Sequence, residues 1–251
     1  MDSKVRGSIA ELVGTFCLVF LAGCVVCANY VHESGEPIYG MWAIGLADGF
    51  ALAVLLTISS RVSEGCLNPA ITLMLWVCKR LDGWQTMSLV AAQLLGSVLA
   101  GLALRVIFPE NALRLAQMGA PHVGTLLMTD NVITFWTLVK GIALETFATF
   151  VLTLVVFSTL LDRRGSRLGG LFAGLTQTVL TLALFRLTGG AANPARWFGP
   201  ALWHLSVESL KANAFADHPV YWVGPVIGAL LGGLLYTTVI GPGTRVPEAG
   251  S

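Results

Sequence analysis

The stretch Gly189-Gly190-Ala191-Ala192-Asn193-Pro194-Ala195-Arg196-Trp197-Phe198-Gly199-Pro200-Ala201-Leu202 places polar residues and a proline where a long apolar pattern would otherwise continue. A weaker copy lies upstream, at Gly65-Cys66-Leu67-Asn68-Pro69-Ala70-Ile71-Thr72. The two Asn-Pro-Ala triplets are separated by about half of the 251-residue chain. One such tripeptide carries little information, but two at matching places in similar halves indicate an internal repeat.

The composition indicates a membrane protein. Hydrophobic residues make up 55% of the chain and charged residues only 12%, whereas soluble domains usually carry about 25% charged residues. Six stretches approach the roughly 20 apolar residues that a helix needs to cross a bilayer. We place them at 9–31, 42–60, 86–108, 135–161, 169–187 and 221–240. The sequence therefore predicts an all-α, multi-pass protein of a plasma or inner membrane, and its net charge of +1 indicates no nucleic-acid partner.

The distribution of basic residues predicts the orientation. They concentrate at the N-terminus, before the third span, between the fourth and fifth spans and in the tail, while the loops 109–131 and 206–218 carry fewer for their length. By the positive-inside rule, both termini are expected to be cytoplasmic. The five cysteines show no metal-ligand spacing, so we expect free thiols, no metal and no cofactor.

The two halves repeat beyond the triplets. Glu11-x-x-x-Thr15-Phe16-x-Leu18 recurs as Glu145-x-x-x-Thr149-Phe150-x-Leu152, and Gly96-x-x-x-x-Gly101-Leu102 recurs as Gly228-x-x-x-x-Gly233-Leu234. We expect a single domain over 1–251, with one repeat at about 7–108 and the other at about 135–241. Each repeat holds three spans, an odd number, so the second must enter the membrane from the opposite side. Such inverted repeats place their functional sites near the bilayer midplane.

Each triplet should begin a short helix. Asn is a preferred N-cap and Pro is favoured at the first helical position. The segments 68–77 and 193–205 are apolar but too short to cross the bilayer. We therefore expect two re-entrant half-helices whose N-termini meet inside the membrane. The alternative is that one of them is an amphipathic surface helix, which the position of Arg196 in the first turn disfavours.

These residues resemble the aquaporin (major intrinsic protein) family over nearly all of 9–240. The resemblance rests on the doubled triplets, Arg196, Phe198-Gly199-Pro200-Ala201 and the repeated glutamates. It implies an aquaporin-like right-handed bundle of six transmembrane helices plus two half-helices, assembled as a homotetramer with one pore per subunit. It also implies a passive channel for water or small neutral solutes, with no catalytic residues. Glu11 and Glu145 would support the loops that carry the triplets, rather than relay protons.

The resemblance also assigns pore positions. The pore centre corresponds to Asn68, Pro69, Ala70, Asn193, Pro194 and Ala195, and the selectivity filter to Asp48, Thr181, Gly190 and Arg196. Glu64 and Cys66 would face the cytoplasmic vestibule, where Cys66 is either a mercurial-sensitive thiol or a buried, inert one.

The filter departs from the common types of the family. Without an aromatic residue or a histidine, it predicts a wider and more polar pore than a water-only filter. In contrast, Trp197, Ala201 and the pair Tyr221-Trp222 resemble the water-channel branch. A carboxylate at membrane depth is costly, so Asp48 should pair with Arg196, directly or through a water. The alternative is that it points away from Arg196 and bonds a neighbouring helix.

We therefore expect a channel for water and small uncharged solutes. Its rival is a facilitator mainly for glycerol, urea or metalloid acids, with water incidental. A proton-coupled transporter that uses Asp48 and Arg196 is a more distant alternative. Whether the loop 109–131 covers the pore mouth is left open.

Overall fold

The computed structural model describes residues 2–32, 36–63, 67–162, 164–210 and 214–241, and helices dominate that part of the chain. The α-helices are α1 Ser3–Ala28, α2 Met41–Ser59, α3 Pro69–Val77, α4 Gly83–Ile107, α5 Glu110–Leu115, α6 Phe135–Val156, α7 Gly169–Leu184, α8 Pro194–Trp203 and α9 His218–Leu235. Single π-turns, Phe157–Leu161 and Tyr236–Ile240, extend α6 and α9.

Among the residues that the structure describes, five helices are long and apolar enough to cross a membrane: α1, α2, α4, and α6 and α9 with their π-turns. The sixth, α7, has only 16 residues and ends at Leu184, before the position 187 that we predicted. The reason is local, because the amides of Thr188 and Gly189 both donate to the Leu184 carbonyl, each at 2.9 Å. This turn directs the chain towards the second triplet.

Capping explains where α1 and α4 begin. The Asp2 side chain accepts a hydrogen bond from the Lys4 amide at 3.1 Å, and the Asp82 side chain accepts one from the Gln85 amide at 2.7 Å. An N-cap carboxylate satisfies amides that have no partner within the helix. Both helices therefore begin before the apolar stretches that hydropathy predicts.

Helix packing follows the predicted inverted repeat. The contacts of α1 with α4 and α2 are matched by those of α6 with α9 and α7. The half-helices exchange sides, since α3 packs against α9 of the other repeat and α8 packs against α4. The pairs α2–α7 and α3–α8 join equivalent elements of the two repeats. This is the contact pattern that a pseudo-two-fold axis between the repeats requires.

Small residues allow the long helices to approach closely. A Cβ atom added to Gly96 would lie 2.3 Å from the Leu12 carbonyl oxygen, and one added to Gly228 would lie 2.3 Å from that of Thr146. Close backbone approach at small residues is a common basis of helix packing in membranes. The outer surface is apolar, with side chains such as Trp42 and Val106 largely exposed. This surface is suited to contact with lipid.

Candidate pore and constriction

The two half-helices begin at the triplets and are capped identically. The Oδ1 atoms of Asn68 and Asn193 accept hydrogen bonds from the amides of Ala70 and Ala195, at 3.0 and 2.9 Å. Each asparagine also donates through Nδ2 across the interface between the repeats. Asn68 donates to the Ala192 carbonyl at 2.8 Å, and Asn193 donates to that of Leu67 at 2.9 Å. Since a side-chain amide carries two hydrogens, one N–H of each asparagine is left for a molecule in the lumen.

The residue before each asparagine has an unusual backbone. Leu67 has φ of 57° and Ala192 has φ of 47°, a left-handed region that non-glycine residues rarely adopt. Their amides donate to Glu11 Oε2 and Glu145 Oε2, both at 2.8 Å. The same two residues supply the carbonyls that the asparagines bond. The repeated glutamates thus contact the backbone that orients both asparagines.

Both oxygens of the Glu145 carboxylate accept hydrogen bonds from the loop before the second triplet. Its Oε1 accepts from the Ala191 amide at 3.1 Å and from the Thr188 hydroxyl at 2.6 Å. Glu11 instead accepts from the Gln93 side chain at 2.5 Å. Both carboxyl groups are fully buried. These contacts suit a loop support.

The four predicted filter positions lie together in one cluster, which we call the constriction. The Thr181 hydroxyl donates to Asp48 Oδ2 at 2.8 Å, and Arg196 Nε lies 3.5 Å from Asp48 Oδ1. Asp48 therefore forms the predicted ion pair with Arg196 while it also accepts from Thr181 of the neighbouring helix α7, so the alternative in which it points away from Arg196 is wrong. Gly190 has φ of 62°, and a Cβ atom there would lie 2.7 Å from the Leu180 carbonyl oxygen. Only glycine fits this position without displacing α7.

Two further groups belong to the constriction, and our sequence reasoning missed both. Gln177, one turn before Thr181 on α7, donates to Asp48 Oδ2 at 3.0 Å and to the Gly190 carbonyl at 2.9 Å. The Gly119 carbonyl accepts from Arg196 Nη1 at 2.8 Å. The i, i+4 spacing of Gln177 and Thr181 was a usable signal, since both lie on one helix face. A backbone carbonyl from a distant loop leaves no comparable signal in the sequence.

Polar and apolar side chains line the cavity between the constriction and the triplets. Its polar groups come from Asn68, Asn193, Gln177, Asp48 and Arg196. Leucine, isoleucine and valine side chains supply most of the remaining lining, among them Leu52, Ile71 and Val156. These apolar side chains offer no competing hydrogen bonds, so a molecule in the cavity must bond to the polar groups.

The residues that resemble the water-channel branch lie behind the pore wall. Trp197 stacks on Tyr221 with ring centroids 5.6 Å apart, and the Tyr221 hydroxyl donates to the Thr188 carbonyl at 2.7 Å. Trp197 also makes an edge contact with Phe215. The bond from Tyr221 to Thr188 connects this aromatic stack to the loop before the second triplet. Glu64 and Cys66, the predicted vestibule residues, lie outside the described residues.

The loop 109–131 lies against the constriction, where residues of the loop line a second cavity together with Thr181, Gly189 and Arg196. It is anchored by Asp217, which accepts from the Val123 amide at 3.0 Å, and by His204, whose Nε2 lies 2.9 Å from the Gln117 carbonyl oxygen. Burial lowers the pKa of His204 and of His122, and burial raises the pKa of Asp217. These groups hold the segment whose Gly119 carbonyl bonds Arg196.

Comparisons with known proteins agree with this architecture. Residues 2–236 match the family model described as Major intrinsic protein. Aquaporin TIP4-4 of Zea mays is 35% identical over 237 residues, covering 92% of this chain and 85% of that protein. Aquaporin AqpM of Methanothermobacter marburgensis is 32% identical over 253 residues, covering 94% of this chain and 98% of that protein.

A solved structure shares the fold. The aquaglyceroporin from Plasmodium falciparum superposes with a TM-score of 0.76 at 23% identity, covering 94% of this chain and 97% of that one. The triplets, the buried glutamates and the two half-helices are thus set in an aquaporin fold. This chain belongs to the major intrinsic protein family, whose members are membrane channels and not enzymes.

Proposed function

We propose that this chain conducts water and small uncharged polar solutes passively, and that it excludes ions and protons. The observation that carries the proposal is the meeting of two helix N-termini at Asn68 and Asn193, which both line the cavity and each use one of their two amide hydrogens in a bond to the backbone. Helix N-termini carry partial positive charge. A water molecule whose oxygen accepts hydrogen bonds from both asparagines cannot also accept one from a neighbouring water. It therefore interrupts the chain of hydrogen bonds along which a proton would pass.

The constriction supports a range of solutes beyond water. Aquaporin-type pores select by diameter, lining groups and electrostatic barriers. Here the four positions are Asp48, Thr181, Gly190 and Arg196, none of which is aromatic. The paired charges of Asp48 and Arg196 offer both acceptors and donors to a neutral solute. Glycerol, urea, hydrogen peroxide and undissociated metalloid acids are the candidate solutes.

The alternative is a facilitator in which one of those solutes is the main cargo and water is incidental. The absence of an aromatic side chain at these four positions favours it. Under either proposal we expect a homotetramer with one pore per subunit. We also expect both termini to be cytoplasmic and the membrane to be a plasma or inner membrane.

Stopped-flow light scattering on reconstituted vesicles tests these proposals. We expect vesicles with the protein to shrink faster than empty vesicles in an impermeant osmolyte, at the same rate with and without a proton gradient. Parallel runs with glycerol, urea and boric acid rank the solutes against water. No gain over empty vesicles in water flux would refute the water channel, and a requirement for a proton gradient would indicate a coupled transporter.

A further inference from the structure

Gln177 lies at the most heavily bonded point of the constriction. Its Nε2 atom lies 3.0 Å from Asp48 Oδ2, 3.1 Å from Thr181 Oγ1 and 2.9 Å from the Gly190 carbonyl oxygen. The side chain is 4% exposed and borders the cavity. One amide group therefore contacts three of the four filter positions that the family resemblance assigns.

These contacts determine which way the amide points. All three neighbours accept hydrogen bonds, and two of them, the Asp48 carboxylate and the Gly190 carbonyl, cannot donate. The reversed amide would place Oε1 against both of these oxygens and would lose the two bonds that Nε2 makes to them. The NH₂ group must therefore face the wall. Oε1 projects from the other side of the amide and accepts no hydrogen bond from the residues that the structure describes.

The same contacts fix the Asp48 carboxylate. Oδ2 accepts from Gln177 and Thr181, which leaves Oδ1 on the side of Arg196 at 3.5 Å. That separation is long for a charge-assisted hydrogen bond, so Oδ1 keeps accepting capacity. The constriction thus presents two acceptor oxygens, Gln177 Oε1 and Asp48 Oδ1, beside the donor groups of Arg196.

We propose that Gln177 is a specificity-determining residue of the pore, which together with Asp48 forms an acceptor edge that selects neutral solutes carrying N–H or O–H donors as well as an acceptor. Urea fits this description, since its carbonyl can accept from Arg196 while its N–H groups donate to the acceptor edge. The inference rests on the proposed channel function and names a solute class for the same pore. A donor-free solute of similar size leaves both oxygens unbonded, and buried polar groups without partners are costly.

The test compares urea with dimethyl sulfoxide, which has the same number of heavy atoms and no N–H or O–H donor. Wild type and Gln177→Met are reconstituted, and fluxes of water, urea and dimethyl sulfoxide are measured by stopped flow. Met keeps the length of the side chain and removes both the acceptor and the donor. Thr176→Val, which removes a hydroxyl bonded only within its own helix, is the matched control.

We expect wild type to raise urea flux over empty vesicles more than dimethyl sulfoxide flux. Gln177→Met should lower the ratio of urea to water flux about fivefold, the effect of one lost hydrogen bond, and leave dimethyl sulfoxide unchanged. Thr176→Val should match wild type. If Gln177→Met does not fold, the wild-type comparison of the two solutes still decides the question.

Wild-type protein that conducts water but gives urea no advantage over dimethyl sulfoxide would overturn the inference and leave the water channel intact. An unchanged ratio of urea to water flux in folded Gln177→Met would overturn it as well. Protein that raises no flux at all would instead refute the proposed function.

Discussion

At the scale of single residues, Glu145 stabilises the second triplet loop because it accepts hydrogen bonds from three donors at once. The amides of Ala191 and Ala192 and the Thr188 hydroxyl all belong to buried residues and all donate to this one carboxylate. In the first repeat the Leu67 amide donates to Glu11 in the same way. A buried donor left without its acceptor costs about 1–3 kcal/mol, so the second loop depends on Glu145.

We therefore predict that Glu145→Ala destabilises the protein by several kcal/mol, about 1–3 for each of its stranded backbone donors. Thermal unfolding in detergent and water flux in vesicles measure the effect. Glu110→Gln, at an exposed position of α5, serves as the control that should leave both unchanged. An unaltered melting temperature in Glu145→Ala would mean that the carboxylate does not hold this loop.

A second prediction concerns the size of the constriction. Asp48→Phe places an aromatic ring at the filter and removes the partner of Arg196 and Thr181. We expect the flux of glycerol and urea to fall more than the flux of water, because the ring narrows the lumen and water is smaller. Val54→Phe adds the same ring at an exposed position of α2 and should change neither the water flux nor the solute flux. Equal losses of water and solute flux would contradict the argument from pore size.

The constriction also shows what could be predicted from the sequence at this scale. The family resemblance, with positions counted along the chain from the triplets, predicted Asp48, Thr181, Gly190 and Arg196 as the filter, and these residues do lie together around Asp48. Gln177 escaped that reasoning, although it lies one helical turn from Thr181, because its role depends on the unusual carboxylate opposite. Because Gln177 also borders the lumen, the volumes of the four predicted side chains alone underestimate how much of the lumen is filled.

At the scale of elements, tight packing of α2 against α7 determines the position of the filter. A Cβ atom added to Gly174 would lie 2.3 Å from the Gly49 carbonyl oxygen and 2.5 Å from the Ala53 Cβ. The same two helices carry Asp48 and Gln177. Any displacement of one helix from the other thus changes the distance between those side chains, which are now bonded at 3.0 Å.

We predict that Gly174→Ala costs about 1–3 kcal/mol, the usual range for overpacking a well-packed site, and that it lowers solute flux. Gly40→Ala is the control, because a Cβ atom there meets only the Trp42 side chain at 4.0 Å. Thermal unfolding and stopped-flow measurements on both variants check the prediction. Equal stability of the two variants would show that α2 and α7 can adjust without strain.

Elements were predicted well where the signal was local. The Asn-Pro pairs predicted both half-helices, since the cap and the first helical position are adjacent in sequence. Hydropathy missed the start of α1 and the end of α7 because capping by Asp2 and the turn at Leu184 depend on hydrogen bonds and not on apolarity. The π-turns after α6 and α9 had no recognisable sequence signal.

At the scale of the whole molecule, the inverted repeat explains the pore centre but not its outer entrance. The loop 109–131 has no counterpart in the symmetric framework, yet it supplies the Gly119 carbonyl that bonds Arg196. Its anchors, His204 and Asp217, lie on the far side of the second triplet in sequence. No local pattern could have predicted that these segments meet.

The anchors of this loop should make its stability depend on pH. The imidazoles of His122 and His204 face Asp217, and burial lowers their pKa values in the folded loop. An open loop binds these protons more readily, so the closed loop loses stability as pH falls through the ordinary histidine pKa of about 6.5. Asp217 acts in the opposite sense. Burial raises its pKa, so its contribution to the stability of the closed loop is lost as pH rises. We expect the two histidines to determine how the stability of the loop changes below about pH 7.

Hydrogen exchange of the amides of Gly119 and Gly124, corrected for intrinsic rates, measures this opening. We predict faster exchange at about pH 5.5 than at about pH 7.5, on either side of the histidine value. His204→Gln keeps a donor for the Gln117 carbonyl but cannot titrate, so it should reduce the pH dependence without opening the loop at neutral pH. Exchange that stays flat over this range in wild type, or equally steep in His204→Gln, would show that this cluster does not couple protons to the loop over the pore.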